Sequence, residues 1–148
     1  MAQEVYCLDR ATGVLKRSFQ PFAKPGISSL HTLGAIESKG LLFSIADSPD
    51  GGGVVAMELT TGQKRWFAEL PNISESFVIA PGNDRLYIAS RPEGTLRYEL
   101  NAIDLSTGAV SVIHRIFGGG TPKPSLGALG DDGTLYFPYP GGFIRYRD

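Results

Sequence analysis

The sequence predicts an all-β protein made of four-stranded antiparallel units that follow one another along the chain. Three observations carry this. Apolar residues fall in short runs with strand-like alternation, as from Val54 to Leu59, and a period of two marks a β-strand. Nineteen glycines and ten prolines punctuate those runs with turn chemistry, and no segment shows the longer period of a helix. One phrase also recurs three times, as VYCLDRATGVLKR from Val5, VVAMELTTGQKRW from Val54 and LNAIDLSTGAVSV from Leu100.

The glycines of the three copies, Gly13, Gly62 and Gly108, stand 49 and then 46 residues apart. A period near 45 belongs to repeat architectures in which each unit is one four-stranded block, a blade. The chain reads as a single domain over 1–148, with a half blade at 4–20, a blade at 27–70, a second at 76–117 and a partial blade at 125–148. Strands A to D of the first full unit are Ser29 to Ile36, Leu41 to Ala46, Val54 to Leu59 and Lys64 to Leu70. Those of the second are Ser76 to Ala80, Leu86 to Ser90, Leu96 to Leu105 and Val110 to Ile116. The last unit supplies A around Leu126 to Gly130, a hairpin through GDDGTLYF into B, and C from Phe143 to Tyr146. Short polar turns, Glu37 to Gly40 and Pro81 to Asp84, join A to B.

The repeated residues have mechanical duties. Cys7, Ala56 and Ala102 are small where a neighbouring blade crowds them. Asp9, Glu58 and Asp104 can accept hydrogen bonds from the amides of the Thr-Gly turn that follows. Gly13, Gly62 and Gly108 supply the positive φ that such a turn requires.

The pattern A-x-D-x-x-T-G-x-x-x-W resembles the repeat motif of the quinoprotein alcohol dehydrogenase-like β-propellers, the PQQ-repeat superfamily. Ala56, Thr61, Gly62 and Trp66 match it, with Glu58 in place of aspartate. The copy at Leu100 keeps Ala102, Asp104, Thr107 and Gly108 but has Val112 at the tryptophan position. The copy at Val5 keeps Asp9, Thr12 and Gly13 but has Cys7 for alanine and Arg17 for tryptophan. The resemblance implies a β-propeller in which Trp66 docks one blade on the next. It also implies that pyrroloquinoline quinone, where a family member binds it, sits in the channel of a complete ring with a metal and an aspartate base. None of those cofactor-binding residues can be placed on this sequence.

Propellers carry about four to eight blades around a channel, so three repeats make a partial β-propeller. Two segments compete for one strand C position, because GGFIRYRD ends on Asp148 where Asp9 and Asp104 stand in their own units. The expectation is completion by homodimerisation, the half blade of each chain pairing with the A and B strands of the other, with the GGFIRYRD end displaced. The alternative is a piece of a longer gene product.

Composition bounds the rest. A 148-residue chain with 42% hydrophobic residues can bury a core, and a formal charge of −1 from 14 basic and 15 acidic residues leaves no footprint for nucleic acid or an anionic membrane. Cys7 is a lone cysteine inside a strand, read as a small buried hydrophobe. The N-terminus lacks a signal-peptide pattern and no apolar run is long enough to span a bilayer, so the chain reads as cytoplasmic by default, or periplasmic as a fragment of a longer family member.

Strand alternation puts the B–C and D–A connections on one rim, where a rigid scaffold builds its binding surface. Arg91, Glu93, Lys123, Asp47 and Tyr139 are the polar and aromatic candidates there, ordinary solvated loop charge being the competing reading. His31, on an inner A strand, is a further binding candidate with no carboxylate at triad spacing, and His114 falls on an outer D strand. Asp47-x-x-Asp50-Gly-Gly lacks the ligand spacing of a calcium loop, and FGGGTPKPS lacks the Gly-Lys-Ser/Thr ending of a phosphate loop. No catalytic residue, metal site or cofactor is expected. The sequence points to a non-catalytic binding or assembly module with self-association and a protein or small-molecule partner, against two alternatives: a fragment of a PQQ-dependent dehydrogenase-like enzyme, or a structural remnant without a ligand.

Overall fold

The computed structural model describes residues 4–19, 29–47, 52–73, 77–116, 127–139 and 142–147. They form an all-β structure with four antiparallel sheets, none of them closed on itself. The first sheet pairs β1 (Val5–Leu8) with β2 (Leu15–Phe19), and the second runs β3 (Ser29–Ile36), β4 (Leu41–Asp47), β5 (Gly52–Glu58) and β6 (Lys64–Leu70) in chain order. The third does the same with β7 (Phe77–Ala80), β8 (Arg85–Ser90), β9 (Tyr98–Asp104) and β10 (Val110–Ile116). The fourth holds β11 (Ala128–Leu129), β12 (Leu135–Tyr139) and β13 (Gly142–Tyr146). No α-helix occurs among the described residues, and none of their helices is long and apolar enough to cross a membrane.

The sheets pack face against face. Val5 and Phe19 meet Leu42, Val55 and Met57 between the first and second sheets. Phe43, Ile45, Ala56 and Trp66 meet Phe77, Leu86, Ile88, Ile103 and Leu105 between the second and third. Tyr87, Ala89, Leu100 and Ala102 meet Leu135, Phe137, Ile144 and Tyr146 between the third and fourth. Each inner sheet therefore has one face toward the preceding sheet and one toward the next. Its middle strands are buried on both, which is why Leu42–Ala46, Gly53–Met57 and Leu86–Ser90 are continuously buried instead of alternating.

The A–B and C–D turns lie together at one end of each sheet. The amide of Leu59 donates to the Gly40 carbonyl and that of Leu105 to the Asp84 carbonyl, at 2.8 and 3.0 Å. Both A–B turns are single 3-10 turns that end left-handed, on Gly40 and Asp84, and Lys39 pairs with Asp84 across the second and third sheets.

Three details differ from the sequence reading, the first being that Cys7, read as buried, is only partly so, because it lies in the two-stranded end sheet. Strand β9 begins at Tyr98 and not at Leu96, because Pro92 to Thr95 close a turn through the Thr95 amide and the Pro92 carbonyl at 3.2 Å. Leu135 pairs with Tyr146 as Leu42 pairs with Met57 and Leu86 with Ile103. Met57 and Ile103 precede Glu58 and Asp104, so Arg147 takes the turn-acid position assigned to Asp148, which lies outside the described residues. Within the single chain β13 pairs with β12 along its length.

Candidate functional site

The repeated phrase builds the same turn three times. Gly13, Gly62 and Gly108 have φ of 69°, 72° and 75°, a left-handed conformation that only glycine adopts without cost. Their amides donate to the carbonyls of Asp9, Glu58 and Asp104 at 2.8, 2.8 and 2.9 Å. Asp9 Oδ1 accepts from the amides of Ala11 and Thr12 and from the Thr12 hydroxyl, and Asp104 Oδ1 accepts from the amides of Ser106 and Thr107 and the Thr107 hydroxyl. Glu58 behaves differently. Its longer side chain carries the carboxylate past the amides, and among the described residues it accepts from the Thr61 hydroxyl at 2.7 Å and pairs with Arg65 at 2.6 Å.

These contacts stabilise the charged carboxylates. Lys16, followed by the Thr12 and Ala11 donors, pulls the Asp9 carboxyl down to about 2, and the Thr107 amide and hydroxyl lower that of Asp104. A carboxylate held ionised and already bonded to its own turn is poorly placed to act as a general base.

The turns are also sockets. Trp66 is buried, its indole Nε1 donates to the Leu105 carbonyl at 2.9 Å, and its ring lies so close to the next sheet's turn that a Cβ on Gly108 would stand 2.8 Å from it. The first interface has the same plan with other residues. Arg17 donates through Nη2 to the Leu59 carbonyl at 2.5 Å and through Nη1 to that of Thr60 at 2.8 Å, while the Phe19 ring covers Gly62. Leu59 precedes Gly62 by three residues, as Leu105 precedes Gly108, so Arg17 reaches the acceptor that Trp66 reaches one sheet later. Val112 does not take that place. Trp66 pairs with Ala56 because Arg65 bulges out of β6, whereas Ala102 pairs with Ser111 and leaves Val112 opposite Asn101, 46% exposed.

The opposite rim carries the candidate binding residues. The Arg91 amide donates to the Pro71 carbonyl at 3.2 Å and Asn72 Nδ2 to the Arg91 carbonyl at 3.3 Å, which ties the D–A connection of the second sheet to the B–C loop of the third. The Arg91 guanidinium stands 6.0 Å from the centre of the Tyr98 ring, and Glu93 is exposed in the adjoining turn. Asp47 and Tyr139 end β4 and β12 as Ser90 ends β8, so the backbone brings both to this rim. His31 pairs with Ile45 next to a register shift in β3. Lys123, Asp50 and the loop from Phe117 to Ser125 lie outside the described residues. His114, with Val112, Ile113 and Arg115, lines an open depression on β10.

Sequence reasoning missed Asn101. It is buried at a position where the second sheet has Val55, and its Nδ2 donates to Ser90 Oγ at 2.9 Å and to the Glu99 carbonyl at 3.1 Å. An asparagine inside YELNAID was the available signal. Among the described residues no group of three histidine, cysteine or acidic side chains is placed to hold a metal ion. No family model matches the sequence, and no curated protein matches it.

Proposed function

We propose that the chain is a non-catalytic, propeller-type assembly and binding module of the quinoprotein alcohol dehydrogenase-like kind. One observation carries the reading. Tyr6 and Leu8 on the outer face of the first sheet are 60% and 59% exposed, and Phe143 on the outer face of the fourth is 66% exposed. The equivalent positions inside the stack are sealed by a neighbouring sheet. Exposed apolar faces of this kind mark surfaces that another polypeptide covers. The acids of the repeat support the non-catalytic half, since Asp9 and Asp104 are committed to their turns, and the rim around Arg91, Glu93, Asp47 and Tyr139 is the surface offered to a further partner.

Two measurements test this. Light scattering after size exclusion should give a mass above that of one chain, and a folded monomer at high concentration would refute assembly. Dye reduction with added pyrroloquinoline quinone, calcium and an alcohol should not exceed the protein-free blank. Turnover above it would make the chain a dehydrogenase.

A further inference from the structure

Two of the three interfaces within the chain share a polarity that specifies what its two bare faces fit. At both, the sheet earlier in the sequence contributes the staple and the later sheet contributes the socket, whereas the interface between the third and fourth sheets is, among the described residues, apolar packing alone. Arg17 and Phe19 reach forward to the Gly62 turn, and Trp66 reaches forward to the Gly108 turn. The outer face of the first sheet is a socket face without a staple. Leu8 precedes Asp9 as Met57 precedes Glu58 and Ile103 precedes Asp104, so Tyr6 and Leu8 occupy the places of Val55 and Met57, both fully buried, and of Asn101 and Ile103. A Cβ on Gly13 would meet nothing within 4 Å, unlike one on Gly62 or Gly108.

The outer face of the fourth sheet is a staple face without a socket. Through the shared register, Phe143 falls where Val54 and Leu100 are fully buried, and Tyr136 falls where Phe43 and Tyr87 are. The two rings lie 6.2 Å apart, centre to centre. Arg145 takes the position of Ala56 and Ala102. That position is level with the staples, because Ala56 pairs with Trp66 and Cys7 with Arg17. The fourth sheet has no strand D among the described residues, so Arg145 presents its guanidinium from strand C, one strand inward of the staples. Small residues fill that place where a strand D staple is present, and Arg17 shows that a guanidinium can serve as a staple.

We propose that a second copy of this chain covers both faces head to tail, with the Phe143 and Tyr136 face of each copy seated on the Tyr6 and Leu8 face of the other and Arg145 donating to the carbonyls of the Asp9 to Gly13 turn. This rests on the assembly reading above and specifies its mode. Two such contacts related by a twofold axis close a ring of eight sheets from two chains, within the range of about four to eight units that propellers use. A face-to-self dimer would set socket against socket or staple against staple, an arrangement that none of the internal interfaces uses.

The test is a mixing experiment on the full chain. Wild type should elute as a dimer by light scattering. Leu8→Asp and Phe143→Asp, both at exposed positions and checked for native circular dichroism, should each be monomeric alone. An equal mixture should recover the dimer, because one interface then joins two undamaged faces. Arg145→Ala should raise the dimer dissociation constant about tenfold or more, the effect of losing a charge-assisted hydrogen bond. A dimer retained by either aspartate variant alone, a mixture that stays monomeric, or an unchanged dissociation constant in Arg145→Ala would overturn the head-to-tail mode while leaving the assembly reading intact. A monomeric wild type would overturn both.

Discussion

Replacing the turn glycines one at a time separates the cost of backbone conformation from that of sheet docking. Gly108→Ala meets two obstacles. Its φ of 75° costs an L-residue about 1–2 kcal/mol. Its new Cβ would also lie 2.8 Å from the Trp66 ring, and forcing that contact costs about 1–3 kcal/mol, as other overpacked sites do. The sum is about 2–5 kcal/mol. Gly13→Ala meets only the first obstacle, since its φ is 69° and its Cβ would enter open space, so it should cost about 1–2 kcal/mol. Both substitutions belong in a Leu8→Asp background, where no second copy covers the Gly13 turn. Thermal unfolding followed by circular dichroism reads the difference, because 1 kcal/mol shifts Tm by about 2–4 °C in a chain of this size. Gly108→Ala should melt several degrees below Gly13→Ala. Equal losses would mean that the tryptophan does not press on the turn, and the docking argument would fall with it.

Trp66→Phe retains a ring but removes the donor to the Leu105 carbonyl, and urea unfolding should show a loss of about 1–3 kcal/mol, the cost of stranding a buried acceptor; a neutral result would deny that bond a role. Because the Asp9 carboxyl lies at about 2 when folded, below its ordinary value of 3.8, its contribution is present above the unfolded value and disappears as the pH falls from about 4 toward 2. Carbon-detected titration of Asp9 should give a midpoint near 2, and a midpoint near 3.8 would dissolve the turn cap.

The strand framework was legible because short apolar runs are separated by turn residues, glycine at most left-handed positions and Asn72 and Asp84 at two others. What the sequence concealed lies in register. Counting from the turn glycine places Val112 level with Trp66, yet the structure turns Val112 outward, since a side chain four residues past the glycine faces the next sheet only if one residue between them bulges. Lys16 and Arg65 are those bulged residues, and register shifts mark both positions. The same single-residue logic moved the acid position of the fourth sheet from Asp148 to Arg147. On the rim, sequence indicated which loops share an end but not that Asn72 and Arg91 tie two of them together, because that bond spans neighbouring sheets.

The bulge has a physical cause that connects the turn to the staple. Lys16 pairs with Asp9 at 2.8 Å and Arg65 with Glu58 at 2.6 Å, so in both sheets the bulged residue is the cation that neutralises the turn acid. Bulging swings that side chain toward the acid and passes the next residue, Arg17 or Trp66, to the face that docks on the following sheet. In the third sheet the corresponding residue is Ser111, which carries no charge to neutralise a carboxylate. Asp104 takes Arg85 as its partner instead, at 2.7 Å, Ser111 stays in the ladder opposite Ala102, and Val112 is turned away from the interface. A basic residue three positions past the turn glycine therefore carries the information for a staple as surely as the tryptophan does. That rule accounts for Arg17, which looks like a departure from the motif and performs its function.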